Sequence, residues 1–268
     1  MRLGLLLILV LSTPLAAQRR RANAPPPQDP LRFQYVGPES AGRMTAVAGI
    51  PGDLSTYYAG AASGGIWKTT DSAQTFAPIF DSEPVQAIGA LAVAPSDPNI
   101  VWAGTGEAWA IRDADVMGDG IYKSTDAGAT WTHMGLEQTG RIGRIVIHPT
   151  NPNIVFACAL GRTTGPQQER GVFRTTDGGQ HWERVLFVNP NTGCSGLTMD
   201  AHNPNVLFAG TWEMVMHTWG MFSGGPGSGV YVSRDGGTTW KRIADPGLPK
   251  SPVGKVDVAV AQIGRAHV

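Results

Sequence analysis

Two glutamates occupy equivalent positions, each at the end of an apolar run. Glu107 closes the run Ala-Gly-Thr-Gly-Glu, and Glu213 closes the run Ala-Gly-Thr-Trp-Glu. A glycoside hydrolase needs two carboxylates, one as general acid and the other as base or nucleophile. These two glutamates are therefore the candidate catalytic pair. Asp113 and Asp115 are the nearby carboxylates that could replace them.

Three segments, 105–119, 161–170 and 211–228, are interpreted as long loops on one face of the fold, and they contain tryptophans and charged side chains. Aromatic rings pack against the apolar faces of a ligand, and charged groups bind its polar substituents. A peptide, a protein or a glycan would suit this mixture. An alternative remains open, in which the same side chains brace the loops through salt bridges. The candidate ligand-binding residues in these segments are Trp109, Arg112, Arg162, Trp212, His217 and Trp219. Arg43 and Arg141 join them, because the strands that they precede begin near the same edge of the fold.

The composition argues against several other kinds of site. The six histidines are scattered without the paired spacing of metal ligands, so we expect no metal and no cofactor. Lys and Arg number 21, as do Asp and Glu, so the net charge is zero. Nucleic-acid binding depends on excess positive charge, and we therefore expect no nucleic-acid partner.

An eight-residue pattern that recurs four times must position these residues. It reads Ser/Thr-x-Asp-x-Gly/Ala-x-Thr/His-Trp/Phe, and its aspartates recur at intervals of 51 to 58 residues. A fixed period near 50 indicates a radial or stacked repeat. A catalytic acid is needed once and not once per repeat, so we interpret the aspartates as turn acceptors and the closing rings as packing between repeats. The aspartates are Asp71, Asp126, Asp177 and Asp235, and the rings are Phe76, Trp131, Trp182 and Trp240.

Each repeat also contains four short apolar runs separated by turns. The chain has 35 Gly and 20 Pro, which are too many helix breakers for a long-helix protein. Four antiparallel strands per repeat predict an all-β fold, a β-propeller of four-stranded blades. We expect about four blades and the start of a fifth at 254–260, arranged as an open arc. The predicted blades are 33–80, 85–135, 140–186 and 193–243.

The two ends of the chain predict segments outside the propeller. Residues 1–17 have the basic start, apolar run and small residues of a secretory signal peptide, so we expect export to the periplasm or beyond, without stable membrane insertion after cleavage. Residues 18–32 are a Pro-rich linker, 33–262 are a partial propeller, and 263–268 are a non-native tail in this interpretation. Cys158 and Cys194 could form a disulfide or remain as thiols.

The four motifs resemble the Asp-box (BNR) repeats of sialidases, xyloglucanase-type glycoside hydrolases, photosystem II assembly propellers and sortilin-type receptor domains. Segments 36–43 and 64–69 resemble exported bacterial proteins described as sortilin-like or BNR glycosyl hydrolase-like. Members of that group are longer, so the resemblance implies an N-terminal fragment whose partners include the remaining blades. Xyloglucanase-like enzymes carry an acid before a Gly-Gly pair in the first blade, where this chain has Ser63.

The sequence therefore predicts an exported propeller whose long-loop face binds peptide, protein or glycan. The alternative is a sialidase- or xyloglucanase-like glycoside hydrolase with paired carboxylates. Because the acid expected in the first blade is missing, the sequence favours a binding role for this chain over an enzymatic one.

Overall fold

The computed structural model describes residues 42–109, 116–244 and 247–260. The predicted signal peptide, linker and tail lie outside these residues, as do Arg112, Asp113 and Asp115. No helix in the described part of the chain is long and apolar enough to cross a membrane.

Four antiparallel sheets follow one another along the chain, and in each the strands pair in chain order. Blade 1 contains β1 (Met44–Gly49), β2 (Tyr57–Ala61), β3 (Ile66–Thr69) and β4 (Ala77–Pro78). Blade 2 contains β5 (Ile88–Ala94), β6 (Asp97–Thr105), β7 (Ile121–Ser124) and β8 (Thr132–His133). A short 3-10 helix, Glu137–Thr139, leads to the next blade. The fold is all-β and propeller-like, as the repeats predict.

Blade 3 contains β9 (Ile142–Ile147), β10 (Val155–Ala159), β11 (Gly171–Thr175) and β12 (Glu183–Leu186). Blade 4 contains β13 (Thr192–Met199), β14 (Leu207–His217), β16 (Gly229–Ser233) and β17 (Lys241–Arg242), and β15 (Gly220–Ser223) pairs with the far end of β14. The first strand of each blade contacts the first strand of the next, so these strands line the inner side of the arc.

The same irregularity occurs in every first strand. The pairing between the first two strands of each blade shifts by one residue, which leaves one residue bulged out of the ladder. A β-bulge redirects the side chain of the extra residue. The bulged residues stand at equivalent positions in the four blades: Thr45, Gly89, Gly143 and Ser195.

Each Asp box is a turn closed by its own aspartate. In blade 2, Asp126 accepts hydrogen bonds from the Thr130 hydroxyl (2.6 Å), the Thr130 amide (2.8 Å) and the Ser124 hydroxyl (2.7 Å). These bonds favour the charged carboxylate and lower the pKa of Asp126 to about 2. The corresponding aspartates of the other boxes, Asp71, Asp177 and Asp235, also have lowered pKa values for the same reason.

The boxes also join neighbouring blades. The Trp131 indole donates to the Ile79 carbonyl of blade 1, and the Trp182 indole donates to the Met134 carbonyl of blade 2, each at 2.8 Å. At Gly179, where φ is 100°, a Cβ atom would lie 2.6 Å from the Trp102 ring of blade 2, so only glycine permits this contact. The three inter-blade cores each include one box tryptophan, namely Trp131, Trp182 and Trp240.

A basic residue on three of the four third strands adds a second contact between blades. Lys68, Lys123 and Arg174 each precede a box and donate to a backbone carbonyl in the box of the following blade, at 2.9, 3.1 and 2.8 Å. In blade 4 the equivalent position is Val232. The sequence analysis did not predict this contact, although the recurring Lys or Arg before the box is visible in the repeats.

A disulfide links blades 3 and 4. Cys158 lies on β10 and Cys194 lies on β13, and both are fully buried. The sequence left this pairing open, because the two cysteines belong to different repeats and meet only through the packing of one blade on the next.

One prediction about blade 4 needs correction. The sequence predicts a long loop at 211–228, but β14 continues to His217 and turns back into β15. Residues 254–260 lie beside the first strand of blade 4, where the Ser195 hydroxyl donates to the Val256 carbonyl at 2.6 Å, but they form no strand. The segment expected to start a fifth blade therefore lies beside blade 4, where a fifth blade would begin, but it does not form a regularly paired strand.

Candidate functional site

The buried carboxylate of Glu107 lies where β6 leads into the following loop. Only 2% of its surface is exposed, and its carboxylate accepts a charged hydrogen bond from the Arg43 guanidinium of blade 1. A buried carboxylate needs such a partner, because desolvation otherwise penalises its charge. Glu107 and Arg43 therefore connect the first two blades, close to the first strands that line the inner side of the arc.

Glu213 is held by its own blade. The Glu213 carboxylate accepts a hydrogen bond from the Gly227 backbone amide at 2.6 Å, and the Glu213 backbone amide donates to the Ser228 hydroxyl at 2.9 Å. These bonds tie β14 to the segment before β16. Blade 3 lies between the strands that carry Glu107 and Glu213, and each carboxylate already has a partner, Arg43 of blade 1 for Glu107 and the Gly227 amide of the same blade for Glu213. The geometry supports bracing roles for both.

A fully buried arginine, Arg170, anchors the loops of blades 3 and 4, through backbone carbonyls and not through the salt bridges that the bracing alternative predicts. Arg170 donates to the carbonyls of Asn191 (2.7 Å), Gly165 (3.1 Å) and Met214 (3.3 Å), and to that of Arg162. Burial lowers its pKa to about 10, so it remains charged at neutral pH. An arginine fork with carbonyl partners from both blades fixes the base of the β14–β15 hairpin.

That hairpin, residues 214–223, carries an exposed aromatic surface. The Trp219 ring is 80% exposed and stacks on the His217 ring with centroids 4.8 Å apart and planes 5° apart. Phe222, which is 64% exposed, meets the His217 ring edge-on at 5.7 Å. No Asp, Glu, Lys or Arg occurs in this hairpin. We call residues 214–223 the aromatic hairpin.

A cavity of about 360 Å³ opens among the first strands of the blades. The half-exposed ring of Trp109 contributes to it from the loop after β6. We call it the channel-mouth cavity. Its charged and hydroxyl-bearing lining residues are Thr45, Arg144, Ser195, Lys255 and Asp257.

Comparisons with known proteins agree with this fold. Residues 119–247 match the family model described as Sortilin-Vps10, "Sortilin, neurotensin receptor 3". The chain is a BNR/Asp-box type β-propeller.

Xyloglucanases are among the curated relatives of this Asp-box propeller. Xyloglucanase Xgh74A of Acetivibrio thermocellus is 31% identical over 227 residues, which cover 72% of this chain and 24% of the relative. The structure resembles an ancestral GH74 enzyme with a TM-score of 0.59 at 23% identity, covering 80% of this chain and 25% of that one. It also resembles the extracellular domain of a one component system of B. thetaiotaomicron, with a TM-score of 0.53 at 15% identity, covering 82% of this chain and 25% of that one. The chain thus spans about a quarter of the length of these proteins.

The other predicted ligand-binding residues of this Asp-box propeller differ in how far they are exposed to solvent. Trp212 and Arg141 are 3% exposed, so neither offers a surface to a ligand, and the Trp212 indole instead donates to the Ser223 hydroxyl of β15 at 3.0 Å. Arg162 is exposed and donates to the Gln138 side chain at 3.1 Å. Within the described residues, no group of His, Cys, Asp and Glu could hold a metal ion. Of the predicted ligand-binding tryptophans, Trp219 therefore belongs to the aromatic hairpin and Trp109 to the channel-mouth cavity, and both are exposed.

Proposed function

We propose that this chain binds a xyloglucan-type β-glucan as part of a glycoside hydrolase-like propeller, through the aromatic hairpin. The observation that carries the proposal is the Trp219 ring, which lies flat against His217 with its other face open to solvent. The 31% identity with a xyloglucanase supports a glucan as the ligand.

The hairpin suits a neutral polysaccharide for two physical reasons. A pyranose ring presents a flat apolar face of C–H groups, and a rigid indole can cover that face at little cost in conformational entropy. His217 stacks on the Trp219 ring and is itself packed against Phe222, while Arg170 fixes the base of the hairpin, so little ordering is required on binding. The hairpin has no formal charge, which matches a ligand without charge.

The relatives favour the glycoside hydrolase alternative over a peptide- or protein-binding role. The matches at 31% and 28% identity are both named as xyloglucanases, and the second comes from Hypocrea jecorina. A polysaccharide ligand is also consistent with the export that residues 1–17 predict.

Affinity electrophoresis in gels that contain xyloglucan tests the proposal. We expect the chain to be retarded and Trp219→Ala to weaken binding at least ten-fold, since exposed aromatic anchors often contribute about 2 kcal/mol or more. Leu54→Ala is the matched control, because Leu54 is 81% exposed and lies in the connection between β1 and β2, against the Asp box. Equal retardation of Trp219→Ala and wild type would refute the proposal.

Hydrolysis of the same polysaccharide is a second candidate function, favoured by the relatives. Ser63 occupies the place of the expected acid, and both glutamates are held by loop contacts, so we expect this chain alone to release no reducing sugar from xyloglucan. Release of reducing ends that Glu213→Gln abolishes, with xyloglucan binding retained, would establish catalysis instead.

A further inference from the structure

The channel-mouth cavity is built by the same device in all four blades. The bulged residue of each first strand lines it: Thr45, Gly89, Gly143 and Ser195. Bulges are frequent beside binding sites because they redirect side chains out of the ladder. A cavity of about 360 Å³ lies at the lower end of the roughly 300–1,000 Å³ of small-ligand sites.

The described residues of this cavity carry an excess of positive charge. Arg144 and Lys255 provide two cations, and Asp257 provides one carboxylate, which accepts a hydrogen bond from Arg144 at 3.3 Å. Arg144 and Asp257 are each about half exposed, so this pair is weak in water and a ligand can compete with it. The Arg144 guanidinium has five N–H donors, of which a single carboxylate oxygen uses few.

Lys255 is the second cation and is crowded. Its ammonium group lies 5.5 Å from the centre of the Trp212 ring. Although much of the side chain is exposed, desolvation around the ammonium lowers the pKa of Lys255; the Asp257 carboxylate opposes this shift, and the neighbouring Arg144 adds to it. A partly desolvated cation beside another cation gains from an anionic partner.

The cavity also has an aromatic wall and hydroxyl groups. The Trp109 ring is 50% exposed and borders the same space as the two cations. Thr45 and Ser195 bring hydroxyl oxygens that already donate to backbone carbonyls and keep lone pairs for a donor. An aromatic wall, hydroxyl acceptors and an excess cation together match a ring that has one apolar face, several hydroxyl donors and one carboxylate.

We propose that the channel-mouth cavity binds the carboxylate-bearing ring of an acidic sugar, a hexuronate. Arg144 and Lys255 bind the carboxylate, Trp109 covers the apolar face of the ring, and the bulged hydroxyls accept from its hydroxyl groups. This site is separate from the aromatic hairpin, whose uncharged surface suits a neutral glucan. The Asp257 carboxylate repels the bound carboxylate and competes with it for Arg144, so it weakens the binding of the hexuronate.

Calorimetric titration of the purified chain with glucuronate, glucose, acetate and a short uncharged-side-chain peptide tests the assignment. We expect glucuronate to bind at least ten-fold more tightly than either glucose or acetate, and its affinity to fall as salt rises. Arg144→Gln and Lys255→Gln should each weaken glucuronate binding at least five-fold. Equal binding of glucose would refute the role of the carboxylate, and equal binding of acetate, or of a short peptide through its carboxylate, would refute the sugar.

Three further variants separate this site from misfolding and from the hairpin. Asp257→Asn removes the competing carboxylate and should tighten glucuronate binding, which a damaged fold could not do. Trp109→Ala should weaken glucuronate binding, whereas Trp219→Ala should leave it unchanged. Weaker binding in Asp257→Asn, or unchanged binding in Trp109→Ala, would overturn the proposal without affecting the xyloglucan result.

Discussion

Removing the disulfide between blades 3 and 4 should destabilise the chain strongly. Cys158 and Cys194 are 36 residues apart, so their bond closes a loop of that length in the unfolded chain. Loop closure contributes roughly 3 kcal/mol for 15 residues and roughly 4.7 kcal/mol for 100 residues, which gives about 3.8 kcal/mol here. The double variant Cys158→Ala/Cys194→Ala should lose about this free energy of unfolding.

Guanidinium unfolding, followed by tryptophan fluorescence, measures the effect. The wild type with reductant present should approach the double variant, because both lack the bond once the chain unfolds. The double variant should not respond to reductant, which makes it the internal control. A double variant within about 0.5 kcal/mol of the oxidised wild type would refute the reasoning, since it would show either that the bond does not form or that it does not constrain the unfolded chain.

Two further predictions concern the Asp boxes. Ala73 has a φ of 67°, in the left-handed region that favours glycine, so Ala73→Gly should raise the free energy of unfolding by about 1 kcal/mol in thermal unfolding. Ala129, one position further along the box of blade 2, lies outside that region, so Ala129→Gly should not stabilise the chain. Asp71, Asp126 and Asp235 have folded pKa values of about 2, below the ordinary 3.8. Their contribution to stability is therefore present above pH 4 and is lost as the pH falls from about 4 towards 2, and Asp126→Asn should flatten the fall in melting temperature. A melting temperature that stays constant over this range would contradict the role of the carboxylates.

The repeats predicted most of the fold, because each blade is specified locally. In each repeat, the Asp-box octet, the short apolar runs and the turns between them lie within about 50 residues, and the strands of the four blades form where these signals indicate. The β14–β15 hairpin was missed because the turn at 218–219 lacks strong turn residues. The large apolar residues at every second position, Trp212, Met214 and Met216, are the sequence signal that could have found it, and all three are buried.

The candidate site was predictable only in part. Exposure separates Trp109 and Trp219 from the buried Trp212, and no local pattern indicates which ring faces solvent. The anchoring role of Arg170 and the disulfide both depend on contacts between blades, which sequence spacing does not encode. The bulged residues that line the channel-mouth cavity were also missed, because a shift of one residue in pairing leaves little trace in an apolar run.

Hydrogen–deuterium exchange of the chain with and without xyloglucan tests the central claim most directly. The account predicts slower exchange on binding in the aromatic hairpin, residues 214–223, and unchanged exchange in the Asp-box turns that face away from it. Protection at the Asp-box turns with none in the hairpin, or no protection at saturating xyloglucan, would contradict the account.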